Sequence, residues 1–112
     1  MTMHMVELTV SDWPRSVEWY TAALGLTVEL SDAANGFALL AGDGAKLALK
    51  AGVPVPGGVK LHWRVPDLAA AVERLTAAGV AVGPLKASAE GYTRAAVTDP
   101  DGYAVVVFAW DG

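Results

Sequence analysis

The chain is written twice, and any fold proposed for it must accommodate that. Residues 5 to 28, MVELTVSDWPRSVEWYTAALGLTV, line up with residues 60 to 82, KLHWRVPDLAAAVERLTAAGVAV. Val10 matches Val65, Asp12 matches Asp67, Val17 matches Val72 and, after a one-residue gap, Gly25 matches Gly79. Each half continues through a glycine–aromatic pair, Gly36-Phe37 and Gly91-Tyr92, then an Asp-Gly turn, Asp43-Gly44 and Asp101-Gly102, and ends in an apolar run. Self-similarity over most of a chain marks one supersecondary unit used repeatedly, so whatever one copy forms the other should form too.

Local chemistry says what the unit is. Alternating stretches at 4–10 and 59–65 predict half-buried strands, and Asp12 and Asp67 stand where a side chain can accept the free amide hydrogens of a following helix. Pro14 falls in the first helical turn, where its missing N–H is harmless. Val17, Tyr20, Ala23 and Leu24 in the first helix, and Leu68, Ala71, Val72 and Leu75 in the second, recur at three and four and predict one buried stripe each. Gly25 and Gly79 end the helices as left-handed caps. Strands are predicted at 26–30, 36–40 and 45–50, then at 80–83, 91–97 and 103–109, with Asp-Gly turns joining the last two of each half. The unit is βαβββ. The reading is a single α+β domain: a first module at 1–50, a Pro- and Gly-rich linker at 51–58 (AGVPVPGG) and a second module at 59–112.

At 112 residues one such domain can bury its own core without staples. The chain has no Cys, which removes disulfides, thiolate nucleophiles and Cys-based metal centres. No apolar run reaches the ~20 residues needed to span a bilayer, and the N-terminal stretch has no leader pattern, so a cytoplasmic protein without a membrane partner is expected. Net charge is −4 with no basic cluster in the sequence, which argues against nucleic acid as a partner. The apolar fraction, 54%, and four Trp exceed what a minimal core needs, and point to a ligand pocket or a subunit interface. Trp19, off the stripe of the first helix, and Trp110, after the last strand, are the candidates for a homodimer contact.

Two βαβββ units, each with V-x-D before its helix (Val10-x-Asp12, Val65-x-Asp67) and the second with Asp99-Pro100-Asp101-Gly102 before its last strand, resemble the vicinal oxygen chelate superfamily. That superfamily includes glyoxalase I, extradiol dioxygenases, fosfomycin-resistance enzymes and bleomycin-resistance proteins. The resemblance covers nearly the whole chain and implies tandem modules forming a curled mixed sheet with a cleft, helices on the outer face, commonly within a dimer. In the metal-dependent members it implies His or Glu ligands seven residues before the Asp of each V-x-D and on the last strand of each module. Here those positions hold Met5, Lys60, Ala48 and Val106. Lys is protonated, Ala and Val have no donor, and a thioether suits soft ions only, so neither a metal nor another cofactor is expected. His4 lies one residue from the first ligand position, on the opposite face of an extended strand.

Period-two alternation divides the strands into faces. Val6, Leu8, Val10, Leu47, Leu49, Leu61, Trp63, Val65, Tyr103, Val105 and Val107 should pack on the helices. The opposite face, which the resemblance makes the cleft lining, carries Met5, Glu7, Thr9, Ala48, Lys60, His62, Arg64, Val106 and Phe108, with Tyr92 and Arg94 as further candidates. Lys46 and Lys50 are read as solvated charges on an outer strand that discourage edge pairing. Lys60, His62 and Arg64 crowd positive charge together, and a ligand anion or Glu7 would relieve it. Two functions remain open: a metal-free protein that sequesters a small organic ligand, anionic or aromatic, and a metal-independent isomerase, lyase or cyclase using His62 or Glu7 as general base with Lys60 or Arg64 at an oxyanion. A metal-dependent glyoxalase or dioxygenase is disfavoured by the missing ligands.

Overall fold

The computed structural model describes all 112 residues. The chain divides into two compact units, Met1–Val55 and Pro56–Gly112, each built around its own four-stranded sheet. The first unit runs β1 (Val6–Val10), α1 (Trp13–Leu24), β2 (Thr27–Asp32), a single 3-10 turn (Ala33–Asn35), β3 (Phe37–Gly42) and β4 (Ala45–Ala51). The second runs β5 (Lys60–Arg64), α2 (Leu68–Ala77), β6 (Lys86–Ala87), β7 (Tyr92–Thr98) and β8 (Ala104–Trp110).

Strand order is the same in both: β1-β4-β3-β2 and β5-β8-β7-β6. The first strand pairs parallel with the last, and the remaining pairs are antiparallel. Each sheet is therefore mixed and open, and the α+β architecture of two βαβββ modules read from the sequence is the one observed. A parallel pair needs a long crossover, which the helix and two intervening strands supply.

The helices begin and end as their sequences dictate. Asp12 accepts from the Arg15 amide at 3.2 Å and Asp67 from the Ala70 amide at 3.1 Å, each satisfying an orphan donor of the first turn. Gly25 and Gly79 lie at φ +71° and +81°. Val80, beyond Gly79, donates back to the Leu75 carbonyl, the bond that closes a Schellman ending, whereas the first helix closes with the Gly25 amide donating to the Thr21 carbonyl, the simpler left-handed cap.

The cores follow the predicted faces, with exceptions. In the first unit Leu8, Val10, Ala38, Leu40, Leu47 and Leu49 are buried together with Tyr20 and Ala23 of α1, which packs on β4. In the second, Ala95, Val97, Val105, Val107 and Tyr103 are buried with Leu75 of α2, which packs on β7 and β8. Each fully buried Leu or Val of this set contributes about 1.5–3 kcal/mol. Val17, Leu24, Leu68, Ala71 and Val72 are only half-buried, because short helices on four-stranded sheets leave the margins of the stripe uncovered. Val6, assigned to the packed face, is 39% exposed, since β1 is an edge strand and its first residue has a neighbour on one side alone. Ser16, buried on the helix side, leaves its hydroxyl without a hydrogen-bond partner, and so do the indole nitrogens of Trp13 and Trp63.

Three sequence expectations are corrected. No strand forms at 80–83: Gly83 donates one bond to the Ala96 carbonyl, Pro84 can donate none, and the short strand β6 lies instead at Lys86–Ala87. Ala51 belongs to β4, not to the linker, and Trp110 is the last residue of β8. Lys46 and Lys50 do not sit on an outer strand, for β4 is flanked by β1 and β3. Lys46 forms an ion pair with Glu29 at 2.9 Å, beside the bulge that interrupts β2 between Val28 and Leu30, and Lys50 donates to the Asn35 carbonyl.

Candidate ligand-binding site

Register fixes which side chains share a face, because residues directly opposite each other in a ladder point the same way. On β5, Lys60, His62 and Arg64 stand opposite Ala104, Val106 and Phe108 of β8. Across the antiparallel β7–β8 ladder, Val106 meets Ala96, Phe108 meets Arg94, and Trp110 meets Tyr92. Lys86 of β6 stands opposite Arg94. The sheet side turned away from α2 therefore carries Lys60, His62, Arg64, Tyr92, Arg94, Val106 and Phe108 together, and adds Trp110 and Lys86. Tyr92 and Arg94, whose side the sequence left open, belong to this face.

Its two ends differ in character. Toward the end of β8 three rings meet: Tyr92 lies 5.3 Å from Phe108 and 5.4 Å from Trp110, and Phe108 lies 5.7 Å from Trp110. Trp110 is nearly perpendicular to both partners, at 89° and 88°, so the rings form an edge-to-face corner instead of a closed stack. Trp110 is 55% exposed. Beside the corner runs a row across the sheet, Arg64–Phe108–Arg94–Lys86, in which a phenyl separates two guanidinium groups.

Charge is concentrated here against the trend of the chain. Lys60, Arg64, Lys86 and Arg94 are four of the eight cationic residues in a protein of net charge −4. No acidic residue occupies a strand position on the face, and none of the four pairs with a carboxylate. Lys86 and Arg94 are directly opposed, a like-charge arrangement that destabilises a ladder unless something anionic intervenes.

His62 and the arginines have exposed or half-open positions, and no hydrogen bond orients the imidazole. Val106 is buried between His62 and Ala96 and forms the floor of the face. The equivalent face of the first unit carries Glu7 opposite Ala48 and Thr9 opposite Lys50. Glu7 is exposed, Ala48 is fully buried in the centre of the sheet, and Met5 lies just before β1. This face gathers no aromatic corner like that of the second unit.

The ladders confirm that Ala48 and Val106 are equivalent, since Glu7 pairs with one as His62 pairs with the other. No group of three or more His, Asp or Glu is placed to hold a metal ion. His4 lies exposed ahead of β1. The sequence reading makes Trp110 an interface candidate, not a member of this face, and passes over Lys86. Extending the period-two pattern of β8 by two residues from Phe108 would have found the first, and nothing local to Lys86 marks the second.

Comparison with proteins of known structure supports the architecture. An integron cassette protein from the mobile metagenome of Halifax Harbour sewage outfall superposes with a TM-score of 0.82 at 23% identity, over 96% of this chain and 97% of that one. TnmS3, an antibiotic binding protein from Streptomyces sp. CB03234, gives 0.80 at 24% identity over 98% and 96%. TioX from Micromonospora sp. ML1 gives 0.81 at 26% identity over 97% and 99%. Comparison with curated protein sequences finds no match. Residues 2–107 match the Glyoxalase/Bleomycin resistance protein/Dioxygenase superfamily, and with both modules in place and the metal-ligand positions occupied by Met5, Ala48, Lys60 and Val106, the chain belongs to that superfamily as a member without the ligands.

Proposed function

We propose that the protein binds a small organic molecule without a metal, on the open face of β5, β8 and β7, and holds it unchanged. The observation that carries this reading is the meeting of an aromatic corner with unpaired cations on one sheet face. Apolar surface supplies affinity there, and a few polar groups fix orientation, which is the usual division of labour in small-molecule sites. The likeness to TnmS3 is in keeping with it, for that protein is an antibiotic binding protein of the same fold.

An acid–base enzyme is the weaker reading. A catalytic histidine is normally held in one tautomer by a partner on its second nitrogen. His62 has no such partner, and Glu7 has no hydrogen bond that would aim it.

The test is retention without conversion. Purified protein dialysed against EDTA is incubated with a panel of aromatic natural products, and bound material is recovered and compared by mass with the input. A stoichiometric complex returning intact ligand is expected. Recovery of a modified product, or binding that vanishes with the chelator and returns with an added divalent ion, would overturn the proposal.

A further inference from the structure

The same face narrows the chemistry of its ligand, an inference that rests on the binding role just proposed. An aromatic corner by itself suits a cation, because ring faces attract positive charge. Here Arg64 and Arg94 flank Phe108 in one row, Lys86 stands opposite Arg94, and Lys60 lies two positions before His62 on β5. A cationic ligand reaching the rings would enter a field of four positive charges with no carboxylate among them. An anion would meet the reverse.

Geometry sets its size. Neighbouring strands are about 4.8 Å apart, so the backbones of Arg64 and Arg94 are separated by about 10 Å across β8. Arginine side chains bridge that distance from both sides and can converge above Phe108 on a single carboxylate or phenolate, each offering a paired N–H fork. Trp110, perpendicular to Tyr92 and Phe108, leaves ring surface at the corner for a flat apolar body. We infer that the ligand is a planar aromatic anion, its charge held between Arg64 and Arg94 and its ring lodged against Trp110 and Tyr92.

A matched pair of probes isolates the charge: naphthalene-2-carboxylate and the uncharged naphthalene-2-carboxamide, titrated into isotopically labelled protein and followed by backbone amide resonances of β7 and β8. The carboxylate is expected to bind about tenfold more tightly than the carboxamide in 50 mM salt, and the ratio should fall toward unity in 500 mM salt as screening increases. Arg94→Gln and Arg64→Gln should each weaken carboxylate binding several-fold and leave the carboxamide unchanged. Arg15→Gln, on the exposed side of α1, should alter neither. Trp110→Leu should weaken both probes. Equal affinity for the two probes, or arginine variants without effect, would overturn the anion assignment while the binding role stands. If neither probe moves the β7 and β8 resonances, the binding role at this face fails with it.

Discussion

The Asp99 carboxylate accepts the Tyr103 backbone N–H at 2.8 Å, and the same oxygen accepts the Asp101 N–H at 2.9 Å. Backbone bonds between Asp99 and Tyr103 and from Gly102 to Asp99 close the turn from both sides. Asp99 is 4% exposed, so a side chain without oxygen there would strand buried donors. Because this turn delivers the chain into β8, which carries Val106, Phe108 and Trp110, it sets the register of the candidate site. Asp99→Ala is expected to cost about 3 kcal/mol in urea unfolding, from two hydrogen bonds to a charged acceptor. A cost below about 1 kcal/mol would remove the turn from the list of structures that hold β8.

Gly36 and Gly44 both have positive φ, +59° and +74°, and only one of them is also crowded. A Cβ on Gly36 would lie 2.6 Å from the Cβ of Ala51, whose amide donates to the Gly36 carbonyl at 2.7 Å, whereas a Cβ on Gly44 meets nothing within 4 Å. Gly44→Ala should cost about 1–2 kcal/mol, the left-handed backbone penalty alone. Gly36→Ala should cost clearly more, because β3 and β4 must part to admit it. Equal losses for the two variants in parallel thermal melts would contradict the steric argument.

Ser16 offers the opposite sign. Its side chain is fully buried on α1 and its hydroxyl finds no partner, so folding strips it of water without return. Ser16→Ala removes that penalty and raises helix propensity. A gain of about 1 kcal/mol is expected in chemical denaturation, and a loss would mean that the hydroxyl is satisfied in solution.

The turn between β6 and β7 contains a carboxylate, that of Glu90, whose titration is displaced. The Ser88 hydroxyl, which donates to Glu90, and then the Glu90 backbone amide hold its carboxyl below the usual range. A depressed folded-state value means that the interaction contributes above the unfolded-state value and is lost as pH falls through the folded one. Ser88→Ala should therefore move the Glu90 midpoint upward in a carboxyl-detected NMR titration. An unchanged midpoint would leave the backbone amide as the whole cause.

Much of this architecture was legible because it rests on local rules that operate twice. Asp12 and Asp67 cap their helices, Gly25 and Gly79 end them, and the split of β5 into Leu61 and Trp63 against Lys60, His62 and Arg64 follows from period two alone. What escaped depended on neighbours. Val80 and Val82 alternate like a strand, yet they serve half-buried packing after α2, and Pro84 prevents a ladder there. The central place of β4, and with it the roles of Lys46 and Lys50, is a matter of strand order, which periodicity does not encode. The aromatic corner needed the β7–β8 register, which brings Tyr92 to Trp110 from eighteen positions away along the chain.

Lys60 sits where a metal-dependent relative would place a ligand. Its ammonium group has a consequence for how the site keeps its charge. An ion's charge is borrowed: it arrives by diffusion, competes with other ions and can change oxidation state. Here the positive charge is encoded in side chains and made with the chain itself, so an anion bound as proposed would be held by groups that no change in metal supply removes.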